Sequence, residues 1–314
     1  MGPKSAGRPN RAMDENGITL LVDEITGRKR YSAPGRANRR AAASGICPFC
    51  KWYASDPSCD GPIIHPNDWP PIRPGNCFVV TYSADHFDDL ADLPEAKLLR
   101  VIESWAEKTN EIAADKSNKS IVIFENRGRL AGATVDHPHS QIFAFPFVPQ
   151  VLANPNRCEC DFCRDPLPEL RVYQTERVNC FVPLAGMSPF SIRVAPVRHV
   201  GALSALLAEE RTELARATRV VTRMLDALFQ QKMPYYMWIK QSIDRGDEHL
   251  YVEFVGLLDP RGIPIRYGAA EAATGVYFIP HSSREAARQL REWTIRQDAP
   301  LVSEGRLNRR EFLT

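Results

Sequence analysis

The chain has 314 residues, of which 44% are hydrophobic and 25% charged, a balance typical of soluble globular proteins. Lys and Arg number 40 and Asp and Glu 38, so the net charge of +2 gives no argument for a nucleic-acid-binding or membrane-surface protein. The sequence lacks both a long apolar membrane-spanning run and the apolar stretch of a secretory signal. We therefore expect a cytoplasmic protein whose 8 cysteines are thiols or metal ligands.

The pattern of apolar residues predicts a mixture of helices and strands. Residues 1–16 are predicted as a flexible tail, 17–31 as two strands joined by a turn, and 32–75 as loops. Apolar residues at helical spacing predict three helices, over 93–115, 206–231 and 283–296. Short apolar runs predict strands over 77–82, 121–125, 141–147, 191–196, 235–241 and 250–257.

The second half of the sequence repeats the order of the first. In each half, a strand that ends near a histidine is followed by a long helix and two further strands. The interval from His86 to His137 differs by one residue from the interval between His199 and Tyr251. We therefore predict an α+β protein of two pseudo-symmetric tandem units, each an antiparallel sheet with a long helix: a catalytic domain over 17–150, a connector over 151–170 and a degenerate domain over 171–314.

Most of the chemical information lies in the segment FENRGRLAGATVDHPHSQIFAFP at 124–146. His137, His139 and Gln141 occupy alternate positions, so on an extended strand their side chains share one face. Imidazole serves either as a nucleophile toward phosphorus or as a zinc ligand. The pattern alone does not assign these two roles to the two histidines. The amide of Gln141 can hydrogen-bond a phosphate oxygen.

Cys47 and Cys50 form a CxxC pair, which is half of a tetrahedral zinc site. His86 and His137 are the natural completion of a Cys2His2 site. Because four protein ligands leave no open position, its role would be structural. The redox alternative requires a CxxC at the start of a helix, and no helix is predicted here.

A second cysteine group, Cys158, Cys160 and Cys163, lies in the connector. No fourth ligand is evident there, so we do not expect a second metal.

Arg36 and Arg39 follow a Pro-Gly turn. Their guanidinium groups are suited to phosphate, although such a run is more often a solvated basic surface.

These residues match a known family. The segments DEITGRKRYSAPGRANR, CPFC, HPNDWP, SADH and FENRGRLAGATVDHPHSQ occur in an order that resembles the galactose-1-phosphate uridylyltransferase family of the histidine-triad superfamily, over roughly residues 20–295. The resemblance implies a ping-pong nucleotidyltransferase of carbohydrate metabolism, similar to UDP-glucose–hexose-1-phosphate uridylyltransferases, and we expect a homodimer.

The resemblance also implies roles for individual residues. His139 would be the nucleophile, assisted by Gln141, and would carry the nucleotide as nucleotidyl-histidine. One structural zinc would be bound by Cys47, Cys50, His86 and His137. Phosphate and nucleoside contacts would come from Arg36, Arg39, Asn67, Asp68, Asn126, Thr134 and Ser140.

Three features depart from the family pattern. Ser140 stands where the uridylyltransferases usually have Gly. Tyr251 and Glu253 replace histidines that bind a second metal in some members, so no such site is predicted. Glu271 keeps its sugar-recognition position but lacks the expected Lys and Gln neighbours.

Three other functions share most of these residues. A sugar-nucleotide or dinucleotide phosphorylase would use inorganic phosphate as the acceptor, and a hydrolase would release free nucleotide. A non-catalytic nucleotide-binding module would bind without being labelled. The base and the sugar stay open.

Overall fold

The computed structural model describes residues 17–38, 47–152, 160, 162–163, 168–243 and 248–297. The predicted N-terminal tail, Arg39 and Cys158 lie outside these residues. Among the helices that are described, none has the length and apolar character needed to cross a membrane.

The first half contains a hairpin, two helices and four further strands. In chain order they are β1 (Thr19–Val22), β2 (Lys29–Ser32), α1 (Pro48–Ser55), β3 (Ile63–Pro66), β4 (Cys77–Thr81), α2 (Glu95–Ala113), β5 (Ser120–Arg127) and β6 (His139–Phe145).

The second half contains five strands and three helices. In chain order they are β7 (Arg171–Gln174), β8 (Val178–Phe181), β9 (Ser191–Pro196), α3 (Ala208–Phe229), β10 (Tyr235–Lys240), β11 (Tyr251–Gly256), α4 (Ala269–Thr274) and α5 (Ser283–Gln297).

Nine strands form one antiparallel sheet in the order β3-β4-β6-β5-β10-β11-β9-β8-β7, and β1 and β2 pair separately. The two halves meet where β5 pairs with β10. The predicted α+β class, with antiparallel strands and a long helix in each half, is confirmed. The strands of both halves belong to one continuous sheet.

One face of this sheet is packed against the long helices, and we call the opposite side the outer face. Along β6 the side chains alternate: Ser140 and Ile142 are buried on the helix side, whereas His139 and Gln141 are half-buried on the outer face. On the helix side, α2 contributes apolar side chains at helical spacing, including the fully buried Trp105. Burial of the helix side therefore fixes which residues of β6 face outward.

The predicted long elements agree with the structure to within a few residues at each end. The segment 32–75, predicted as loop, contains α1 and β3. The strands β7 and β8 were also not predicted. All four are short elements of four to eight residues, so their apolar pattern is weak.

Arg127, at the end of β5, connects the two halves through the core. Its guanidinium group donates to Asp89, which precedes α2, and to Asp226 of α3. Burial raises the pKa of Asp89, but Arg127 and Lys232 outweigh it and lower that pKa to about 2. The charges are therefore compensated within this group.

We expect Arg127→Met to destabilise the protein by about 3–5 kcal/mol, because it removes the guanidinium partner of two largely buried carboxylates and leaves them only the half-exposed Lys232. The measurement is the free energy of unfolding in denaturant. Arg100→Met is the matched control, since Arg100 and Asp60 form an exposed pair whose loss should cost less than about 1 kcal/mol. Equal losses in the two variants would contradict the prediction.

Candidate active site and metal centres

The hydrogen bonding of His139 fixes its neutral tautomer. Its Nδ1 lies 2.9 Å from the carbonyl oxygen of His137. Because a carbonyl oxygen only accepts, Nδ1 carries the hydrogen and Nε2 carries the lone pair of the neutral ring. The ring of Phe49 packs edge-on against His139, with the centroids 4.8 Å apart. The ring is therefore oriented from two sides.

His137 has the opposite tautomer. Its Nε2 donates to the carbonyl oxygen of Ser83 at 3.0 Å, so Nδ1 carries the lone pair. That Nδ1 lies 3.5 Å from Sγ of Cys50 and 3.9 Å from Sγ of Cys47. Burial lowers the pKa of His137 to about 4, so the ring is neutral at pH 7, as a metal ligand must be.

The structure brings the four residues of the predicted zinc site together. The ligand atoms of Cys47, Cys50, His86 and His137 lie within 4.8 Å of one another. Cys50 Sγ is 3.2 Å from Nδ1 of His86. Contrary to the prediction of a loop, Cys47 is the N-cap residue of α1, so the CxxC does open a helix. The two histidines nevertheless make this a Cys2His2 group with the donor atoms that zinc prefers.

A second Cys2His2 group lies in the second half. The ligand atoms of Cys160, Cys163, His199 and His249 also lie within 4.8 Å of one another. His249 Nε2 donates to the carbonyl oxygen of Pro196 at 2.9 Å, and its Nδ1 faces Cys160 at 3.2 Å. The expectation that the connector cysteines have no further ligands is wrong, because two distant histidines complete the group.

The two groups are repeats of one arrangement. Both contain a Cys-x-Phe-Cys segment, and the phenylalanine packs on the residue two positions after the ligand histidine. Phe49 packs on His139 with the ring centroids 4.8 Å apart, and Phe162 packs on Tyr251 with the ring centroids 5.0 Å apart. Tyr251 therefore occupies the place of His139, and His249 occupies that of His137. The repeated CxFC segment is the sequence signal that would have revealed the second group.

Gln141 and Asn67 lie together on the outer face. Asn67 Nδ2 donates to Oε1 of Gln141 at 3.4 Å, which leaves the Gln141 amide hydrogens available to an incoming oxygen. The backbone N–H of Asn67 donates to the carbonyl of Cys77, and its side-chain oxygen accepts from the N–H of Trp69. Asp68 is exposed beside this pair.

Asn126 lies on β5, and Thr134 lies in the loop that joins β5 to β6. Asn126 is half-buried and directly follows Glu125, which pairs with Ser140 in the β5–β6 register. Thr134 is exposed in the loop between β5 and β6. In this loop Gly128 and Gly132 have φ values of 82° and 83°, a conformation that glycine adopts without strain.

The Ser140 side chain lies on the opposite face of the sheet from His139, whereas Arg36 lies beside the segment that contains Asn67. The Ser140 side chain is fully buried on the helix side, where its hydroxyl accepts from Nε1 of Trp105 at 2.8 Å. The structure therefore does not place its side chain with His139 on the outer face. Arg36 donates to the carbonyl oxygen of Trp69 at 2.7 Å, which places it beside the segment that contains Asn67 and Asp68.

A histidine of fixed tautomer on a strand, beside a second histidine that faces a ligand group, is the arrangement expected of a nucleotidyltransferase that works through a covalent histidine. A family model described as galactose-1-phosphate uridyl transferase, N-terminal domain, matches residues 71–149. The galactose-1-phosphate uridylyltransferase of Thermotoga maritima is 33% identical over 238 residues, which cover 70% of this chain and 75% of that protein. The chain therefore belongs to the galactose-1-phosphate uridylyltransferase family.

Another curated relative matches over a smaller share of its length, whereas two solved structures match over nearly all of theirs. The galactose-1-phosphate uridylyltransferase of Streptomyces lividans is 28% identical, over 60% of this chain and 58% of that protein. A solved uridylyltransferase structure has a TM-score of 0.77 at 25% identity and covers 88% of this chain and 99% of that one. An Arabidopsis thaliana ADP-glucose phosphorylase with bound ADP-glucose has the same fold, with a TM-score of 0.70 at 21% identity over 88% and 98% of the chains.

Proposed function

We propose that this protein transfers a nucleoside monophosphate from a nucleotide sugar to a phosphate-bearing acceptor, with His139 as the covalent carrier. The observation that supports it most strongly is the pair of opposite tautomers at His137 and His139. The lone pair of His137 faces two cysteine sulfurs, whereas that of His139 is on Nε2, the nitrogen that does not bind the His137 carbonyl. Two neighbouring histidines thus divide metal binding from nucleophilic attack.

In the first half-reaction, Nε2 of His139 attacks the α-phosphorus of the donor. The N–P bond forms while the bond to the bridging oxygen breaks, and the sugar 1-phosphate leaves with the electron pair. In the second, an acceptor phosphate oxygen attacks the same phosphorus and His139 leaves. The Gln141 amide would donate to a non-bridging oxygen, with Asn126 and Thr134 as further donors. Arg36, and Arg39 by family resemblance, would neutralise phosphate charge, and Asn67 and Asp68 would contact the nucleoside.

The Cys2His2 group that includes His137 would hold a zinc ion that fixes α1 against β6. Four protein ligands fill a tetrahedral zinc, so its chemistry there would be structural rather than Lewis-acid catalysis. The second Cys2His2 group has the same donor set and would bind a second metal of the same kind. A cytoplasmic location and a homodimer stay predictions.

A phosphorylase is a second candidate, supported by the environment of Glu271. This residue was expected to contact the sugar, but its Oε2 accepts from the N–H of Gly268 at 2.9 Å and caps the short helix α4. An acceptor without a sugar, such as inorganic phosphate, would not need that carboxylate. The two candidates share every residue of the first half-reaction.

The test is mass spectrometry of the intact protein after incubation with UDP-glucose and, separately, ADP-glucose. We expect a mass increase equal to one nucleotidyl group, the nucleoside monophosphate less one water, with one of the two donors, because the covalent intermediate persists when no acceptor is present. Adding hexose 1-phosphate or inorganic phosphate should then remove the label, and the effective acceptor separates the transferase from the phosphorylase. Release of free nucleotide without any acceptor would indicate a hydrolase, and binding without labelling would reduce the protein to a nucleotide-binding module.

A further inference from the structure

A group of buried polar side chains lies directly behind the strand that carries His139. Its members come from five elements or their ends and are at most 2% exposed: Tyr82, Trp105, Glu125, Ser140 and Tyr235. Trp105 donates to the Ser140 hydroxyl at 2.8 Å, and the ring of Tyr82 packs edge-on against that of Trp105, with the centroids 6.2 Å apart. Tyr82 and Tyr235 donate to the two oxygens of Glu125 at 2.7 and 3.2 Å. We call this group the core network.

The internal repeat provides a comparison for the core network. In the first half, Glu125 of β5 pairs with Ser140 of β6, the residue after His139. The equivalent pair in the second half is Ile239 of β10 with Val252 of β11, the residue after Tyr251. Both are buried apolar residues. The fold therefore accepts an apolar pair at this position, and the polar pair occurs in the half that carries the nucleophile.

Burying a carboxyl group costs free energy even when it is hydrogen-bonded. Because an apolar pair would pack here without that cost, the core network needs an explanation other than stability. Its bonds attach the backbone of β6 at Ser140 to α2 through Trp105. The pairing of Ser140 with Glu125, which accepts from Tyr235, also attaches β6 to the second half. The position of the adjacent His139 backbone is thereby tied to both halves.

We propose that Glu125 is a positioning residue for His139, acting through Tyr82, Ser140 and Tyr235. This inference rests on the proposed covalent role of His139. A small displacement of a reacting atom is enough to slow attack on phosphorus by roughly 10- to 100-fold. The second half, which has Tyr251 in place of a nucleophile, thus contributes to the reaction through Tyr235.

The ionisation of Glu125 gives the proposal a signature in pH. Burial and, to a smaller extent, the nearby Asp89 raise the pKa of Glu125, whereas Tyr82, Arg127 and Tyr235 lower it, and the net result is a pKa of about 7. Asp226 of α3 and Lys232 act on it through their contacts with Arg127 and Asp89. When ionised, Glu125 accepts from both tyrosines. When protonated it must donate, so one tyrosine bond has to change.

The experiment measures the single-turnover rate of His139 labelling at saturating donor, the donor concentration for half-saturation and the melting temperature. Glu125→Gln is compared with Glu253→Gln, an equally buried carboxylate on β11 that pairs with Arg193. We expect Glu125→Gln to slow labelling by roughly 10- to 100-fold with little change in half-saturation. Glu253→Gln should label at the wild-type rate.

The ratio of the wild-type rate to the Glu125→Gln rate should rise with pH through about 7. Ionised Glu125 makes both tyrosine bonds above this pH, whereas protonated Glu125 resembles glutamine below it. Ionisation of His139 itself cancels in this ratio. Tyr235→Phe removes only the hydrogen bond from Tyr235 to Glu125 and should slow labelling less than Glu125→Gln does. This second variant tests the proposal even if Glu125→Gln does not fold.

Two outcomes overturn the positioning role while leaving the covalent reaction intact. One is an unchanged labelling rate in Glu125→Gln and Tyr235→Phe. The other is that Glu125→Gln and Glu253→Gln lower the labelling rate and the melting temperature equally, while the ratio of the wild-type rate to the Glu125→Gln rate does not change with pH. If the wild-type protein is never labelled, the proposed function fails and this inference fails with it.

Discussion

His139→Gly should abolish covalent labelling by every nucleotide sugar while leaving the metal content and the fold unchanged. The imidazole is half-buried on the outer face, and its Nδ1 donates to the carbonyl oxygen of His137 in the same segment. Loss of the nucleophile removes the covalent route itself, and we expect a decrease of at least about 1,000-fold in turnover. Intact-protein mass spectrometry, zinc analysis and thermal melting measure the three properties.

His137→Ala is the matched comparison, two positions earlier on the same chain segment. It removes a buried ligand of the first Cys2His2 group and the bond to Ser83. We expect loss of one metal and a lower melting temperature, with labelling reduced because α1 and Phe49 are no longer held against His139. If His139→Gly loses metal while His137→Ala retains it, the two roles are reversed.

The alternation of His139 and Gln141 was enough to predict that these two residues share one face of β6, whereas His137 precedes the strand and is buried. The same alternation implies that the Ser140 side chain faces the opposite way, toward α2. The sequence therefore already argues against the phosphate contact predicted for this side chain. What alternation could not show was the tautomer of each histidine. The tautomers depend on two backbone carbonyls: that of His137, two residues before His139, and that of Ser83, far from His137 along the chain.

The long helix α2 was predictable because its apolar residues recur over five turns. The eight-residue helix α1 was not, since isolated helices of this length are marginal and depend on tertiary contacts. Its contacts are the ligand group at Cys47 and Cys50 and the packing of Phe49. The second Cys2His2 group was missed for a related reason: proximity of Cys160 to His249 follows from the fold, not from local spacing.

Purified protein should contain two zinc ions per chain. Each Cys2His2 group brings two sulfurs and two imidazole nitrogens within reach of one ion, and each ligand histidine is oriented by a backbone carbonyl. Without a cation, two thiols this close together favour the protonated state. Burial, and then Cys47, raise the pKa of Cys50 to about 11. A bound zinc ion would stabilise both thiolates.

Cys50→Ser and Cys160→Ser should each lower the zinc content to one ion per chain, but with different consequences for labelling. Loss of the first centre releases α1 and the Phe49 packing on His139, so Cys50→Ser should lose labelling and stability together. Loss of the second centre affects the half with Tyr251, so Cys160→Ser should keep labelling.

Cys163 and His199 are exposed, whereas each residue of the first group is at least partly buried. A chelator should therefore remove the second ion first, in two resolved phases monitored by a zinc-sensitive dye. A wild-type stoichiometry of one ion, unchanged in Cys160→Ser, would show that the second group does not bind zinc.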